Sequence, residues 1–156
     1  MRDLRGKVAF ITGGGSGIGL GVARAFVNEG MNVVLADLRQ DHLDAASAAF
    51  ASTGRSRNVH TIRLDVTDRD AMAAAALETE RVFGKLHVLM NNAGVGIEGP
   101  FRDATYADWD FALGVNLGGV INGIQTFLPR IRAHGEGGHV INTASLAALV
   151  AMPAYT

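Results

Sequence analysis

A chain of 156 residues that is 48% hydrophobic fills one core and is too short for two. Its 14 basic and 15 acidic residues leave a net charge of −1, which gives no electrostatic ground for nucleic acid or an anionic membrane as partner. The absence of cysteine excludes a disulfide framework and a thiolate metal site. Met1-Arg2-Asp3-Leu4-Arg5-Gly6 lacks the apolar core of a secretory leader, and no apolar run reaches bilayer length. A cytoplasmic location is therefore expected.

The first element is Val8-Ala9-Phe10-Ile11, a short apolar run of the kind that forms a strand buried on both faces. It enters Thr12-Gly13-Gly14-Gly15-Ser16-Gly17-Ile18-Gly19. Beyond that run Ile18, Val22 and Phe26 recur every fourth residue and predict one apolar stripe on a helix. The glycines thus mark a strand-to-helix turn, where the backbone bends tightly and comes close to a ligand. The helix N-terminus there offers unpaired N–H groups and partial positive charge to a pyrophosphate. A second strand, Asn32 to Ala36, ends in Asp37, twenty positions beyond Gly17. At that distance a carboxylate accepts hydrogen bonds from an adenosine ribose. The strict G-x-G-x-x-G spacing is absent, and a glycine turn that only packs a helix on a sheet is the alternative.

A second helix follows, with Leu43, Ala46 and Phe50 on its core face and Asp41, Asp44 and Ser47 outward; Ser52-Thr53-Gly54 ends it. The third strand, Val59 to Leu64, closes on Asp65-Val66. Thr67 with Asp70 reads as a capping box for an alanine-rich helix to Phe83, and Gly84 stops it. The fourth strand, His87 to Met90, runs into Asn91-Asn92-Ala93-Gly94. Thr105 and Asp108 cap a long helix to about Ala133, with the expected core stripe Trp109, Leu113, Leu117, Val120, Ile124, Phe127 and Ile131. Its glycines at 114, 118, 119 and 123 cost roughly 1 kcal/mol each against Ala, so a close approach or a bend near Asn116 is expected. The fifth strand is Val140 to Thr143. Strands and helices that alternate in this way predict a parallel, doubly wound α/β sheet of order 3-2-1-4-5, with ligands beyond the carboxyl ends of its strands. His42, His60, His87, His134 and His139 show no metal-ligand spacing, and no metal site is expected.

Thr12, Gly13, Gly17 and Gly19 carry T-G-x-x-x-G-x-G, and Asn91-Asn92-Ala93-Gly94 carries N-N-A-G. With Asp3 to Val8, Leu64 to Asp68, Val115-Asn116-Leu117 and Asn142-Thr143-Ala144-Ser145, the chain resembles the short-chain dehydrogenases/reductases over its whole length. The resemblance implies a Rossmann-type fold and hydride transfer between a nicotinamide cofactor and an alcohol or carbonyl. It places the cofactor on Gly13, Gly15, Ser16, Gly17, Ile18, Gly19, Asp37, Leu38, Asp65, Val66, Asn92, Ala93, Gly94 and Thr143. Asp65 would accept from the adenine amino group and Val66 would pack on the ring; for Asp65 alone, a capping role is the alternative.

In the family a Ser positions the substrate oxygen, and Ser145 matches it; the alternative is a hydroxyl that caps backbone. Asn116 matches the helix-borne Asn that supports a proton relay, and a buried Asn satisfied by a neighbouring element is the alternative. NAD is expected rather than NADP, because Asp37 would repel a 2′-phosphate, although Arg39 is a competing signal. The family's long helix helps form a subunit interface, so a homo-oligomer, dimer or tetramer, is expected, with a small-molecule alcohol or carbonyl as substrate.

Residues 114–123 resemble those of bacterial members that oxidise secondary alcohols, including benzylic alcohols of lignin-derived aryl ethers. Counted on from Ser145, the family's acid/base Tyr and its Lys fall beyond Thr156; Tyr155 stands ten positions after Ser145, too near for that motif. Residues 1–156 are thus expected to be the cofactor-binding part of a longer enzyme, incomplete at the C-terminus. The alternative is a non-catalytic dinucleotide-binding module ending at Thr156.

Overall fold

A computed structural model describes residues 3–97 and 99–149; the expectation concerning Tyr155 lies outside them. Its strands are β1 (Val8–Thr12), β2 (Asn32–Asp37), β3 (Val59–Arg63), β4 (Val88–Asn91) and β5 (His139–Asn142). All neighbours run parallel in the order β3-β2-β1-β4-β5. The fold is therefore the expected Rossmann-type sheet, with its switch point between β1 and β4. Helices α1 (Gly17–Asn28), α2 (Gln40–Ser52), α3 (Arg69–Phe83), α4 (Tyr106–Leu113) and α5 (Gly119–Ala133) cover it.

Strand alternation sorts the core into two layers. Val8, Phe10, Val34, Ala36 and Leu89 face α3 and α5, where they meet Met72, Phe127 and Ile131. Ala9, Ile11, Val33, Leu35, Val88 and Met90 face α1 and α2, where they meet Ala23, Val27, Leu43 and Phe50. The Phe10 and Phe127 rings lie 4.4 Å apart between centroids, tilted by 36°. Each is fully buried, which contributes about 1.5–3 kcal/mol per side chain.

Four local expectations need correction. The core face of α1 is Gly19, Ala23 and Val27, and Ile18 is 67% exposed. Gly and Ala give little hydrophobic signal, so the stripe was legible only through the larger residues at its margin. The N-cap of α3 is Asp68, which accepts from Ala71 N at 2.9 Å. Thr67 instead donates, through both N and Oγ1, to Asp65 Oδ1. Asp65 thus closes a turn before the helix. The Thr105–Asp108 capping box is present as expected.

The long helix is not one α-helix, because Gly114–Gly118 forms a π turn between α4 and α5. A π turn inserts a residue and rotates the face that follows it. Leu113 and Leu117 therefore lie exposed and Trp109 borders on exposure, while Phe127 and Ile131 beyond the turn are buried. The helix approaches the sheet through glycines. A Cβ on Gly119 would stand 2.7 Å from Val66 Cγ2, and one on Gly123 would stand 2.2 Å from Asn91 Oδ1. Finally, Tyr106–Ala133 is 28 helical residues long and apolar enough, by length and composition, to cross a membrane. Asn116, Asn122 and Gln125 break it into shorter apolar runs, which concealed this in the sequence.

Candidate active site

β1 delivers its glycine loop to the switch point, and the loop continues the sheet before it turns. Gly14 N donates to Ala36 O at 3.0 Å. Gly13 has a positive φ of 62°, and a Cβ there would lie 2.9 Å from Ala93 Cα. Gly17, also at positive φ (50°), would project a Cβ into open space. The Ser16 hydroxyl does not cap α1, and the first N–H of the helix bonded back to the cap is that of Leu20, to Ser16 O. The N-terminus of α1 is left with donors for an incoming anion.

A cavity of about 460 Å³ opens above this loop. It brings together Gly13, Ser16, Gly17, Ile18, Asp37, Leu38, Asp65, Val66, Asn92, Ala93, Gly94 and Thr143, all named from the sequence. Gly15 and Gly19 do not line it. They are required behind it, because a Cβ would stand 2.8 Å from His42 Cβ at Gly15 and 2.2 Å from Gly13 O at Gly19.

Asp37 sits at the cavity's edge with its carboxylate fixed at both oxygens. Gly15 N donates to Oδ2 at 3.0 Å and Arg39 N to Oδ1 at 3.1 Å. Its side chain is only 11% exposed, and His42 Nδ1 lies 3.9 Å from Oδ1. Arg39 lines the cavity too, yet its guanidinium holds Asp41, whose carboxyl is kept below the usual carboxylate range by that hydrogen bond.

The floor is a latch between β1 and β4. Buried Thr12 accepts at Oγ1 from Asn92 N (3.0 Å) and Ala93 N (3.1 Å). Asn92 Nδ2 donates to Thr12 O and Gly13 O, each at 3.2 Å, and its Oδ1 accepts from Thr143 Oγ1 at 3.1 Å. Beneath it, Asn91 donates through Nδ2 to Asn142 Oδ1, and its buried Oδ1 has no hydrogen-bond partner among the described residues. That oxygen rests against Gly123, where a Cα–H contact is the available interaction. Thr12 is the positioning residue that sequence reading undervalued: a strand Thr carries no signal until its partners are in place. Val95, Phe111 and Val115 also line the cavity, and they come from a loop and a helix whose placement local pattern does not reveal.

Asn116 lies in the π turn and does not line the cavity. Its Oδ1 accepts from Val95 N and its Nδ2 donates to Val95 O, both at 2.9 Å. The side chain therefore ties the helix to the loop that follows β4. Ser145 is exposed after β5, and its Oγ accepts from Ala147 N at 3.1 Å. That contact uses a lone pair and leaves the hydroxyl proton able to donate.

A second titratable cluster occupies the opposite, amino end of the sheet. One ligand atom each from His87, His134 and Glu136 lies within 4.8 Å of the others. Every one of them is engaged. Val8 N donates to His87 Nδ1 (3.2 Å), so Nε2 carries the proton and donates to Glu136 Oε2 (3.0 Å). His134 gives Nε2–H to Leu86 O and accepts at Nδ1 from Glu136 N. Lys7 (2.7 Å) and Lys85 (2.5 Å) fill the Glu136 carboxylate. Two ammonium groups thus already neutralise the carboxylate, and the cluster is a hydrogen-bonded network.

The fold, with a glycine-lined crevice at its switch point, is that of the doubly wound α/β class, in which ligands bind at that crevice. The short chain dehydrogenase family model matches residues 7–156, and the chain belongs to that family. It is 46% identical over 147 residues to a C alpha-dehydrogenase of Sphingobium sp. (strain NBRC 103272 / SYK-6), covering 94% of this chain and 48% of that protein. The apo form of LigO from Sphingobium sp. strain SYK-6 superposes with a TM-score of 0.93 at 51% identity, over 99% of this chain and 57% of that one. A short chain dehydrogenase/reductase from Burkholderia phymatum in complex with NAD superposes with a TM-score of 0.93 at 37% identity, over 99% of this chain and 54% of that one. The chain spans about half the length of these proteins.

Proposed function

We propose that this chain is the cofactor-binding part of an NAD-dependent dehydrogenase that interconverts a secondary alcohol, benzylic alcohols included, and its ketone. The observation that carries the reading is the Asp37 carboxylate, held by Gly15 N–H and Arg39 N–H beside a cavity floored with glycines. That residue set fits a dinucleotide: close backbone for a pyrophosphate, an oriented acceptor for ribose hydroxyls, and Asp65-Val66 for an adenine edge and face. The NAD complex of the Burkholderia relative supports the cofactor, and the C alpha-dehydrogenase supports the reaction type.

A bound nicotinamide would supply or accept the hydride. This chain's residues would bind and orient. The α1 N-terminus would hold the pyrophosphate, and Asp37 would take the ribose. Ser145 would donate a hydrogen bond from its hydroxyl to the substrate oxygen as charge develops there, keeping its own proton. Asn116 acts as a positioning residue through its two bonds to Val95. The exposed apolar side chains of Leu113, Leu117 and Ile121 supply the face for a homo-oligomer.

The Ser145 contact with Ala147 N also favours a second reading, a dinucleotide-binding module without catalysis. One experiment separates the two. The full-length protein is titrated with NAD and NADP and assayed for NADH formation with 1-phenylethanol and with larger benzylic alcohols. NAD binding with turnover supports the dehydrogenase, NAD binding without turnover supports the module, and no dinucleotide binding removes both.

A further inference from the structure

Arg39 is placed to contradict the preference that Asp37 expresses. It is the N-cap of α2, it lines the same cavity, and its own N–H bonds to Asp37 Oδ1 at 3.1 Å. Its backbone is therefore pinned at the carboxylate that would take the ribose. A guanidinium starting from that point is the group that receives a 2′-phosphate, because its fork matches phosphate oxygens bidentately. Left free, it would offset the repulsion from Asp37 and admit NADP.

The fork is already taken. Arg39 Nε donates to Asp41 Oδ1 at 3.1 Å and its terminal Nη2 to Asp41 Oδ2 at 2.5 Å, so both carboxylate oxygens are engaged. Asp41 lies in the first turn of α2, where the positive end of the helix dipole favours an acid independently of Arg39. The helix thus fixes the acid, and the long, flexible arginine goes to it. Arg39 and Asp41 neutralise each other, so the Arg39 guanidinium is not offered to Asp37 or to a group bound beside it. Two further basic groups stand at this edge: His42 faces Asp37 from α2 at 3.9 Å, and Arg63, in register with Asp37 on β3, gives its Nε–H to Leu38 O at 3.3 Å.

We propose that Asp41 is a cofactor-selectivity residue: it holds the Arg39 fork and so withholds from a 2′-phosphate the cation that would receive it. The inference rests on the cavity being a dinucleotide site and adds a residue outside the cavity lining. It also explains how an arginine two positions after Asp37 is compatible with a preference for NAD.

The test is a set of dissociation constants, measured by calorimetry on the full-length protein for NAD and NADP. The variants are Asp41→Ala, Arg39→Ala and the double substitution, with His42 left unchanged throughout. Asp41→Ala is expected to tighten NADP about fivefold, the scale of one exposed ion pair, and to leave NAD within about twofold. In the Arg39→Ala background the gain should vanish, because there is no fork to release. Should Asp41→Ala weaken the helix N-terminus enough to impair folding, Asp41→Asn keeps the shape and removes the charge. An NADP constant unmoved by loss of the acid, while NAD still binds, would overturn the role of Asp41 and leave the cofactor site standing. A gain that persists without Arg39 would also overturn it, since plain charge repulsion would then suffice. Wild-type protein that binds neither dinucleotide would overturn the site itself, and this inference with it.

Discussion

At the amino end of the sheet, His87, His134, Glu136, Lys7 and Lys85 satisfy one another and the backbone of Val8 and Leu86. At the carboxyl end, polar groups are also bonded, yet several keep capacity to spare. Asp37 oxygens accept one N–H apiece, the Ser145 hydroxyl still has its proton, and α1 begins with an uncapped first turn. Space differs as well, since glycines at the carboxyl end hold a cavity of about 460 Å³ open. A cluster of titratable side chains is thus a poor marker of a site. Unfilled hydrogen-bonding capacity beside open space is the better one, because a ligand must gain contacts that the protein has not already made with itself.

The comparison predicts that changes at the two ends separate cleanly into chemistry and stability. The largest effect is expected at Ser145. In the full-length enzyme, Ser145→Ala should lower kcat/KM by roughly 100- to 1000-fold, the scale for losing one oxyanion donor. Its melting temperature should not move. An unchanged rate with a lower melting temperature would place Ser145 with the self-satisfied groups of the other end.

Next in size is His87. His87→Leu strands the Val8 N–H and removes a donor to Glu136, which should cost ~1–3 kcal/mol and lower the melting temperature by several degrees. NAD affinity should be untouched. A change in NAD affinity at fixed stability would show that the two ends are coupled.

Asp37→Ala comes third. It should narrow the ratio of NADP to NAD dissociation constants about tenfold, as one close negative charge is removed from the path of a phosphate. Equal constants in the unmutated protein would leave the carboxyl end without its selectivity.

The smallest effect is the pH dependence of stability, which belongs to the amino end. Burial holds His87 below its ordinary value of 6.5, so the unfolded chain takes up a proton there that the folded chain resists. Stability should fall as the pH drops below 6.5. Hydrogen bonds from Lys7, Lys85 and His87 hold the Glu136 carboxyl well below its ordinary 4.5. Its contribution is complete above that pH and fades as acid approaches its depressed folded value. Melting curves across this range check the sign, and His87→Leu should flatten the upper part of the profile.

The layered sheet was legible because its signals are local. Val8 to Thr12, Asn32 to Asp37 and Val88 to Asn91 are apolar runs short enough for strands and closed by turn residues. Most of the cavity lining was legible for the same reason, since a doubly wound sheet sends its strand ends to one crevice. Helix faces were read less well. The α1 stripe was displaced by a residue because Gly19 and Ala23 bury without announcing it. The α4–α5 stripe failed because a π turn between Gly114 and Gly118 changes the phase.

By itself, the sequence determined strand order, crossover pattern and the residues delivered to the carboxyl ends, because backbone sterics and hydrophobic alternation act over a few residues. Only the tertiary structure decided which of those groups remain available. Asn92 spends its amide on Thr12, Gly13 and Thr143, Asn116 spends its own on Val95, and Arg39 is claimed by Asp41. His87 and His134, far apart along the chain and without ligand spacing, meet at the amino end only when β1, β4 and the turn before β5 converge. Hydrogen bonds saturate, and the partner that saturates a group comes from whichever segment the fold brings within about 3 Å, a fact that spacing along the chain does not encode.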